Sequence, residues 1–151
     1  MLIRDVKLSD KKTYLAMAQD FYSGEATLFS LPLSHFEDTF EMGLSASPMM
    51  RLLVLAEQKE AQEEVVGYAH LAFTWTCEAG GKVCWLEEIY LLPGQRGQGY
   101  GKAFITWLLD TYKDTCRRFR LEVCPHNEKA RSLYESLGFT ELPYQQLVKD
   151  Q

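Results

Sequence analysis

Apolar residues along this chain recur at two different spacings, and each spacing predicts one kind of element. Steps of three and four residues place Tyr14, Met17 and Ala18 on one helical face, whereas alternation along residues 118–124 is typical of a strand. The pattern predicts strands at residues 1–6, 51–57, 65–75, 83–92 and 118–124, one or two more within 139–149, and helices that begin near Asp10, Ser34, Tyr100 and Asn127.

The resulting order of elements is β-α-α-β-β-β-α-β-α-β. Strands that alternate with helices in this way predict an α/β (α+β) layered fold, with a mixed central β-sheet flanked by helices. The 151 residues fall within the usual length of one domain, roughly 100–200 residues. The 46% apolar content is sufficient for a packed core. We therefore expect residues 1–151 to form a single domain.

Local signals mark the ends of several elements. Ser34 and Glu37 have the spacing of a capping box at the start of the second helix. The charged residues 58–64 predict a turn between two strands. Asn127 is a suitable N-cap for the last helix, and Gly138 is a suitable residue to end it.

A glycine-rich turn, residues 96–102, connects the apolar strand at 83–92 to the third helix. Its glycines at alternate positions have no Cβ, so the backbone can approach a ligand closely. The first amide groups of a helix have no intrahelical partner and lie at its positive end, where a phosphate is stabilised. Arg96 and Lys102 add positive charge at the two ends of the turn. The turn is therefore interpreted as a pyrophosphate-binding site.

Two common phosphate-binding motifs do not fit this turn. A Walker A loop would need a glycine in place of Arg96, five residues before Gly101, and a Ser or Thr in place of Ala103. A dinucleotide fingerprint, Gly-x-Gly-x-x-Gly, would need its third glycine where Lys102 or Phe104 stands. The turn has the pattern Arg-x-x-Gly-x-Gly instead.

That pattern, formed by Arg96, Gly99 and Gly101, is followed by a second motif between Asn127 and Phe139 that reads Asn-x-x-Ala-x-x-Leu-Tyr-x-x-x-Gly-Phe. Together the two motifs resemble those of the GNAT superfamily of N-acetyltransferases. The predicted order of elements is also similar to the order in that superfamily. The resemblance rests on motifs from the fourth strand onward and on element order alone in the earlier part of the chain.

The resemblance implies that the protein binds acetyl-CoA as a co-substrate. In such enzymes the glycine-rich turn holds the pyrophosphate, and the backbone of the preceding strand pairs with the pantetheine amides. A Leu91 N–H aimed at the thioester oxygen is the implied oxyanion donor. The implied cofactor-binding residues are Ile89, Tyr90, Leu91, Arg96, Gly97, Gln98, Gly99, Tyr100, Gly101, Lys102, Asn127 and Tyr134.

Transfer of an acetyl group to an amine requires that the amine lose a proton and that the leaving thiolate be stabilised. The resemblance implies Tyr134 as the general acid and Glu87 as the base, with Glu88 as a further candidate carboxylate. Successive residues of a regular strand face opposite sides, so only one of the two glutamates faces a given cleft unless a bulge intervenes. The resemblance implies such a bulge. The structural alternatives are a core tyrosine and solvated or ion-paired carboxylates.

Several other residues could contribute to the site. His70 and His126 could act as bases near neutral pH, with structural roles as the alternative for both. An acceptor site could draw on Tyr22, Phe29, Trp75 and Tyr144, for which core packing is the alternative.

Charge and composition narrow the class of function. A net charge of −5 argues against nucleic-acid binding, which usually requires a basic face. Charged residues interrupt the first seven positions, so no signal peptide is expected, and no apolar run approaches the ~20 residues that cross a bilayer. The four cysteines include no Cys-x-x-Cys pair, which predicts free thiols and no metal. We expect a cytoplasmic protein without a membrane or nucleic-acid partner.

The sequence thus predicts an acetyl-CoA-dependent N-acetyltransferase that acts by direct transfer, in a ternary complex, on a primary amine of a small molecule. A protein amine is the alternative acceptor. A non-catalytic CoA-binding sensor or interaction domain is the alternative function. The resemblance also implies a homodimer, because members of the superfamily often pair. No motif in the chain identifies the acceptor.

Overall fold

The computed structural model describes residues 1–24, 31–60 and 62–150. Short 3-10 turns precede the first and third helices. Within those ranges, no helix is both long enough and apolar enough to span a bilayer. The elements are β1 Leu2–Asp5, α1 Lys11–Ser23, α2 Leu33–Leu44, β2 Met50–Lys59, β3 Gln62–Thr76, β4 Gly81–Leu91, α3 Tyr100–Tyr112, β5 Arg118–Leu121 and α4 Glu128–Ser136.

The five strands form one sheet in the order β1-β2-β3-β4-β5. Neighbours among the first four strands are antiparallel. β5 runs parallel to β4, because α3 carries the chain back along the sheet before β5 begins. The predicted mixed sheet is confirmed.

Helices cover both faces of this sheet, and each face has its own buried core. α1 and α2 pack on one face, where Tyr14, Phe40 and Tyr68 are fully buried. α3 and α4 pack on the other face, where Leu71 and Phe104 are fully buried. The strands are therefore held between two apolar layers, as in other helix–sheet–helix domains.

A β-bulge in β4 separates its two adjacent glutamates. His70 of β3 pairs with Glu88, but the next residue of β3, Leu71, pairs with Leu86. Glu87 therefore has no cross-strand partner in β3, which is the arrangement of a bulged residue. The bulge expected in this strand is confirmed.

β4 and β5 separate at one end of the sheet. Their pairing ends at Leu86 and Leu121, although β4 continues to Leu91. We call this point of separation the fork. It consists of the last pair, Leu86 and Leu121, and of the residue that follows each of them, Glu87 and Glu122. The strand predicted at 118–124 therefore ends three residues earlier than expected, since it loses its partner there.

The last strand of the predicted order does not form within the described residues. Residues 140–150 contain no strand, and all of them are exposed. Pro143 cannot donate a hydrogen bond to a sheet. Leu147 and Val148 are adjacent, so they cannot lie on the same face of a strand. The prediction of one or two strands within 139–149 is wrong.

Two predicted boundaries also differ. α2 begins at Leu33 with Pro32 as its N-cap and with no side-chain cap hydrogen bond, so the capping box at Ser34 does not form. Pro32 has an extended backbone, with a ψ of 150°, and its side chain has no oxygen that could accept from the first helical amides. The charged residues 58–64 mostly extend β2 and β3 instead of forming a turn. One ion pair, between Lys59 of β2 and Glu64 of β3, crosses this hairpin.

Candidate active site

A cavity of about 580 Å³ lies between the glycine-rich turn, the fork and α4. Its walls come from β4, from α3, from the segment after β5 and from α4, and Phe21 of α1 reaches it as well. The structure brings most of the sequence-predicted site residues together here: Glu87, Ile89, Leu91, Arg96, Gly97, Gly99, Tyr100, Gly101, Lys102, Asn127 and Tyr134.

The glycine-rich turn has a backbone that glycine adopts far more readily than other residues. The φ angle is +78° at Gly97 and +86° at Gly99, both in the left-handed region. A Cβ added at either position would meet no atom within 4 Å, so the space beside the turn is open. Gly99 is the N-cap of α3, so the unpaired first amides of that helix begin at this open space. An anionic phosphate fits such a position.

Side chains at both ends of the turn are anchored to the sheet. Arg96 donates from Nε to the Leu91 carbonyl oxygen at 2.9 Å, and its guanidinium carbon lies 5.4 Å from the centre of the Tyr90 ring. The Tyr100 hydroxyl donates to the carboxylate of Glu57 on β2. The turn is therefore held in place beside the cavity.

Beyond the fork, β4 presents one edge without a strand partner in the described chain. Its other edge stays paired with β3 as far as Leu91. An extended ligand with amide groups can pair with such an edge as an added strand. Ile89 and Leu91 line the cavity. Tyr90, between them, faces the opposite side, where its hydroxyl donates to Asp20 at 2.5 Å.

Tyr134 reaches the cavity from α4 and is largely buried. Burial raises the pKa of its hydroxyl above the ordinary value, so the phenol stays protonated near neutral pH and can donate its proton. The helix that carries Tyr134 begins at Asn127, whose side-chain oxygen accepts a hydrogen bond from the Ala130 amide at 3.2 Å. The predicted role of Asn127 as a helix cap is confirmed.

Glu87 lies in the cavity wall at the fork and stays accessible to solvent. Partial burial is the largest influence on the pKa of its carboxyl group and raises it. His70 lowers this pKa, while the nearby charges of Glu122 and Glu88 raise it further, and the net shift is upward. A carboxylate with a raised pKa accepts a proton more readily than an ordinary glutamate does.

Glu88 lies in a closed environment on the face covered by α1 and α2, and only 11% of its side chain is exposed. The Tyr22 hydroxyl donates to Oε1 and the Tyr68 hydroxyl to Oε2, both at 2.7 Å. His70 Nδ1 is 3.8 Å from Oε1. Burial is the largest influence on the Glu88 pKa and raises it, but the contacts with His70, Tyr68 and Tyr22 outweigh burial and lower it overall. This carboxylate therefore stays ionised.

Other predicted residues lie away from the cavity or outside the described ranges. Gln98 donates from its side chain to a main-chain carbonyl of its own turn at 2.9 Å. Trp75 and Tyr144 are 74% and 64% exposed and do not line the cavity. His126 precedes α4 and does not line the cavity either. Phe29 falls outside the described residues.

Several cavity residues were not identified from the sequence as part of the site, among them Phe21, Glu122 and Cys124. Glu122 and Cys124 belong to a segment whose alternating pattern continues past the end of β5, so the pattern does not reveal where pairing stops. All four cysteines are outside disulfide bonds, as predicted. No group of three metal-binding side chains occurs in the part of the chain that the structure describes.

The acetyltransferase (GNAT) family model matches residues 15–139. The chain belongs to the GNAT acetyltransferase family. Two relatives are thialysine N-epsilon-acetyltransferases, from Sus scrofa and Mus musculus, which are 34% and 32% identical to this chain. The aligned regions cover 94% and 93% of this chain, and 85% and 84% of those proteins.

Solved structures share the fold of this GNAT protein. A possible acetyltransferase from Clostridium difficile 630 has a TM-score of 0.80 at 18% identity and covers 99% of this chain, which in turn covers 97% of that structure. AAC(6')-Iy, in complex with the bisubstrate analogue CoA-S-monomethyl-acetylneamine, has a TM-score of 0.73 at 19% identity with the same coverage of 99% and 97%. The family and its relatives thus show that the protein is an N-acetyltransferase that uses acetyl-CoA and an amine acceptor.

Proposed function

We propose that this enzyme acetylates the terminal primary amine of a small, lysine-like molecule by direct transfer within a ternary complex. The observation that carries this proposal is the shared cavity, which is lined by the glycine-rich turn, the free edge of β4, Glu87 and Tyr134. The relatives named for the ε-amine of thialysine support an acceptor of this class.

In the proposed complex, the pyrophosphate of acetyl-CoA lies at the amino end of α3, beside Arg96 and Lys102. The open space next to Gly97 and Gly99 supports this placement. The pantetheine arm pairs with the free edge of β4 at residues 89–91, where a Leu91 N–H would donate to the thioester oxygen. Such pairing brings the thioester to the fork, close to the two side chains that handle protons.

The acceptor arrives as an ammonium ion, and it must lose a proton before its nitrogen can attack. Glu87 takes this proton, directly or through one water. The nitrogen then forms a bond to the acetyl carbon while the carbon–sulfur bond breaks, and Tyr134 gives its proton to the sulfur. The acylated nitrogen loses its second proton through water to the tyrosinate, which restores Tyr134, and Glu87 returns its proton to solvent. The raised pKa values of Glu87 and Tyr134 suit these roles. Glu88 contributes as a fixed negative charge, because both of its oxygens already accept hydrogen bonds.

We further propose that residues 1–151 act as one domain, in a cytoplasmic homodimer, without a metal, a nucleic acid or a membrane. The net charge of −5 supports the absence of a nucleic-acid partner, and four cysteines outside disulfide bonds suit a reducing compartment. Exposed apolar side chains after α4 are available for contact with a second subunit: Leu142, Tyr144, Leu147 and Val148.

The test is release of free CoA thiol from acetyl-CoA with thialysine, lysine, an aminoglycoside and a lysine-containing peptide as acceptors. We expect the highest kcat/KM with thialysine or lysine. Glu87→Gln should lower kcat about 10- to 100-fold, while the KM for acetyl-CoA changes less than about 2-fold, since only proton transfer is removed. Glu135→Gln, the same change at an exposed position of α4 outside the cavity, should leave kcat unchanged. Preference for the peptide, or a fully active Glu87→Gln variant, would overturn the proposal.

A further inference from the structure

Glu122 occupies the position in the β5 arm of the fork that Glu87 occupies in the β4 arm. Leu86 and Leu121 form the last pair of these parallel strands, and the residue that follows each of them is a glutamate. Because parallel strands run in the same direction, both glutamates leave the paired region at the same level. Both also line the cavity. The fork therefore carries one carboxylate on each arm.

Charge is unevenly distributed among the residues that line the cavity. The basic residues belong to the glycine-rich turn and to the start of α4: Arg96, Lys102 and Lys129. The acidic residues of the lining are Glu87 and Glu122, both at the fork. The proposed complex places phosphates beside the basic residues and the acceptor ammonium beside the acidic pair. This arrangement gives Glu122 a position next to the proton transfer.

Glu122 is held by a neutral partner. The side-chain amide of Gln146, from the segment after α4, donates to Glu122 Oε1. An amide orients a carboxylate without neutralising it, so the negative charge of Glu122 persists beside Glu87. The contact also connects the exposed segment 140–150, which contains no helix or strand, to the wall of the cavity.

We propose that Glu122 is a positioning residue for acetyl transfer, and that its charge acts across the fork on Glu87 to make Glu87 a better proton acceptor. The inference rests on the proposed role of Glu87 as the base. A negative charge near a carboxylate favours its protonated form. Accordingly, Glu122 is among the groups that raise the pKa of Glu87, after burial as the main cause.

Glu87 is also influenced by ionisable groups from every neighbouring element. His70 of β3 lowers its pKa and Glu88 of β4 raises it, and Tyr22 of α1 is close enough for Glu87 to raise the pKa of the tyrosine. Besides the two glutamates of the fork, the charged or ionisable groups that share the cavity are Arg96, Tyr100, Lys102, Cys124, Lys129 and Tyr134. Of the carboxylates that influence Glu87, Glu122 is the one that can be changed without altering a strand or a helix, since it is exposed and follows β5.

The experiment compares pH profiles of kcat for the full-length enzyme and its variants, with saturating acetyl-CoA and thialysine. In Glu122→Gln the acidic limb should move to lower pH, because loss of the neighbouring charge lets Glu87 ionise more easily. The plateau kcat should fall about 2- to 5-fold, because a weaker base accepts the proton less readily. Ionisation of free thialysine is common to all variants and cannot produce the difference. Glu135→Gln, which removes one charge outside the cavity, should reproduce the parent profile.

Two further variants separate a charge effect from a structural one. Glu122→Asp keeps the charge and should leave the acidic limb near its original position. Gln146→Lys places a positive charge beside Glu122 and should move the limb in the same direction as Glu122→Gln does. An unmoved limb in both Glu122→Gln and Gln146→Lys, or an equal shift in Glu122→Asp, overturns the inference. The activity of Glu87→Gln separates this inference from the proposed function. If the Glu122 prediction fails while Glu87→Gln is inactive, only the inference is overturned. If Glu87→Gln is fully active, the proposed function fails as well.

Discussion

Glu87 and Glu88 are adjacent in the chain but belong to opposite electrostatic environments. Glu87 is accessible in the cavity and has a raised pKa. Glu88 is enclosed on the α1–α2 face, accepts hydrogen bonds from two tyrosines, and has a lowered pKa. Adjacent strand residues face opposite sides, and the bulge at Glu87 decides which glutamate takes which side, since the extra residue turns Glu88 and Tyr90 away from the face of Leu86. The same side chain thus has a raised pKa on one face of the sheet and a lowered pKa on the other.

The largest effect is expected at the glycine-rich turn, where we propose that acetyl-CoA binds. Gly99→Val should lower the affinity for acetyl-CoA by about 100-fold or more, because a β-branched residue is strained at a φ of +86° and the turn must change shape. Thermal stabilisation by acetyl-CoA, which grows with the ratio of ligand concentration to Kd, should nearly disappear. Gly94→Ala is the matched control, since its added Cβ meets no atom within 4 Å. Unchanged stabilisation in Gly99→Val would show that the turn does not bind the cofactor.

The next largest effect concerns Tyr134, the proposed proton donor on the cavity side. Tyr134→Phe should lower kcat about 100-fold, the usual size of a lost general acid, while the KM for acetyl-CoA changes less than about 3-fold. The ring and its packing against Phe139 remain in the variant. Free-thiol release under steady-state conditions measures both constants, with Tyr144→Phe as an exposed control. A kinetically silent Tyr134→Phe contradicts the assigned role.

The smallest effect compares the two glutamates through stability. Glu88→Gln should lower the free energy of unfolding at pH 7 by about 1–3 kcal/mol, because an amide cannot accept from both tyrosines with both of its polar atoms. Glu87→Gln should leave this free energy unchanged or raise it slightly, because the raised pKa means that the charged form is disfavoured in the folded state. Urea unfolding measures both values.

The contributions of Glu88 and Glu87 to the free energy of unfolding should also change with pH in opposite directions. The folded-state pKa of Glu88 is below the ordinary 4.5, so its stabilising contribution is present above pH 4.5 and is lost as the pH falls through the lowered value. The folded-state pKa of Glu87 is above 4.5, so its contribution is present below pH 4.5 and is lost as the pH rises through the raised value. If the free energy of unfolding depended on pH in the same way in Glu88→Gln and Glu87→Gln, the two glutamates would not differ in environment as described.

Features that depend on neighbours in the chain could be predicted from the sequence. The glycine-rich turn, the Asn127 cap and the helical face of α3 each arise from residues within a few positions of one another. The motif between Asn127 and Phe139 indicated Tyr134, and Tyr134 does line the cavity. Local backbone preferences and side-chain spacing are sufficient for such features, because no distant residue has to be known.

The sequence by itself therefore determined the order of most elements, the mixed sheet, the family and the glycine-rich turn. Only the tertiary structure decided where β4 and β5 separate, which face each glutamate occupies, and that Glu122 stands opposite Glu87. It also decided that residues 140–150 add no strand. The physical reason is that strand register and pairing length depend on contacts between residues far apart in the chain, and a shift of one residue reverses the face of every side chain that follows.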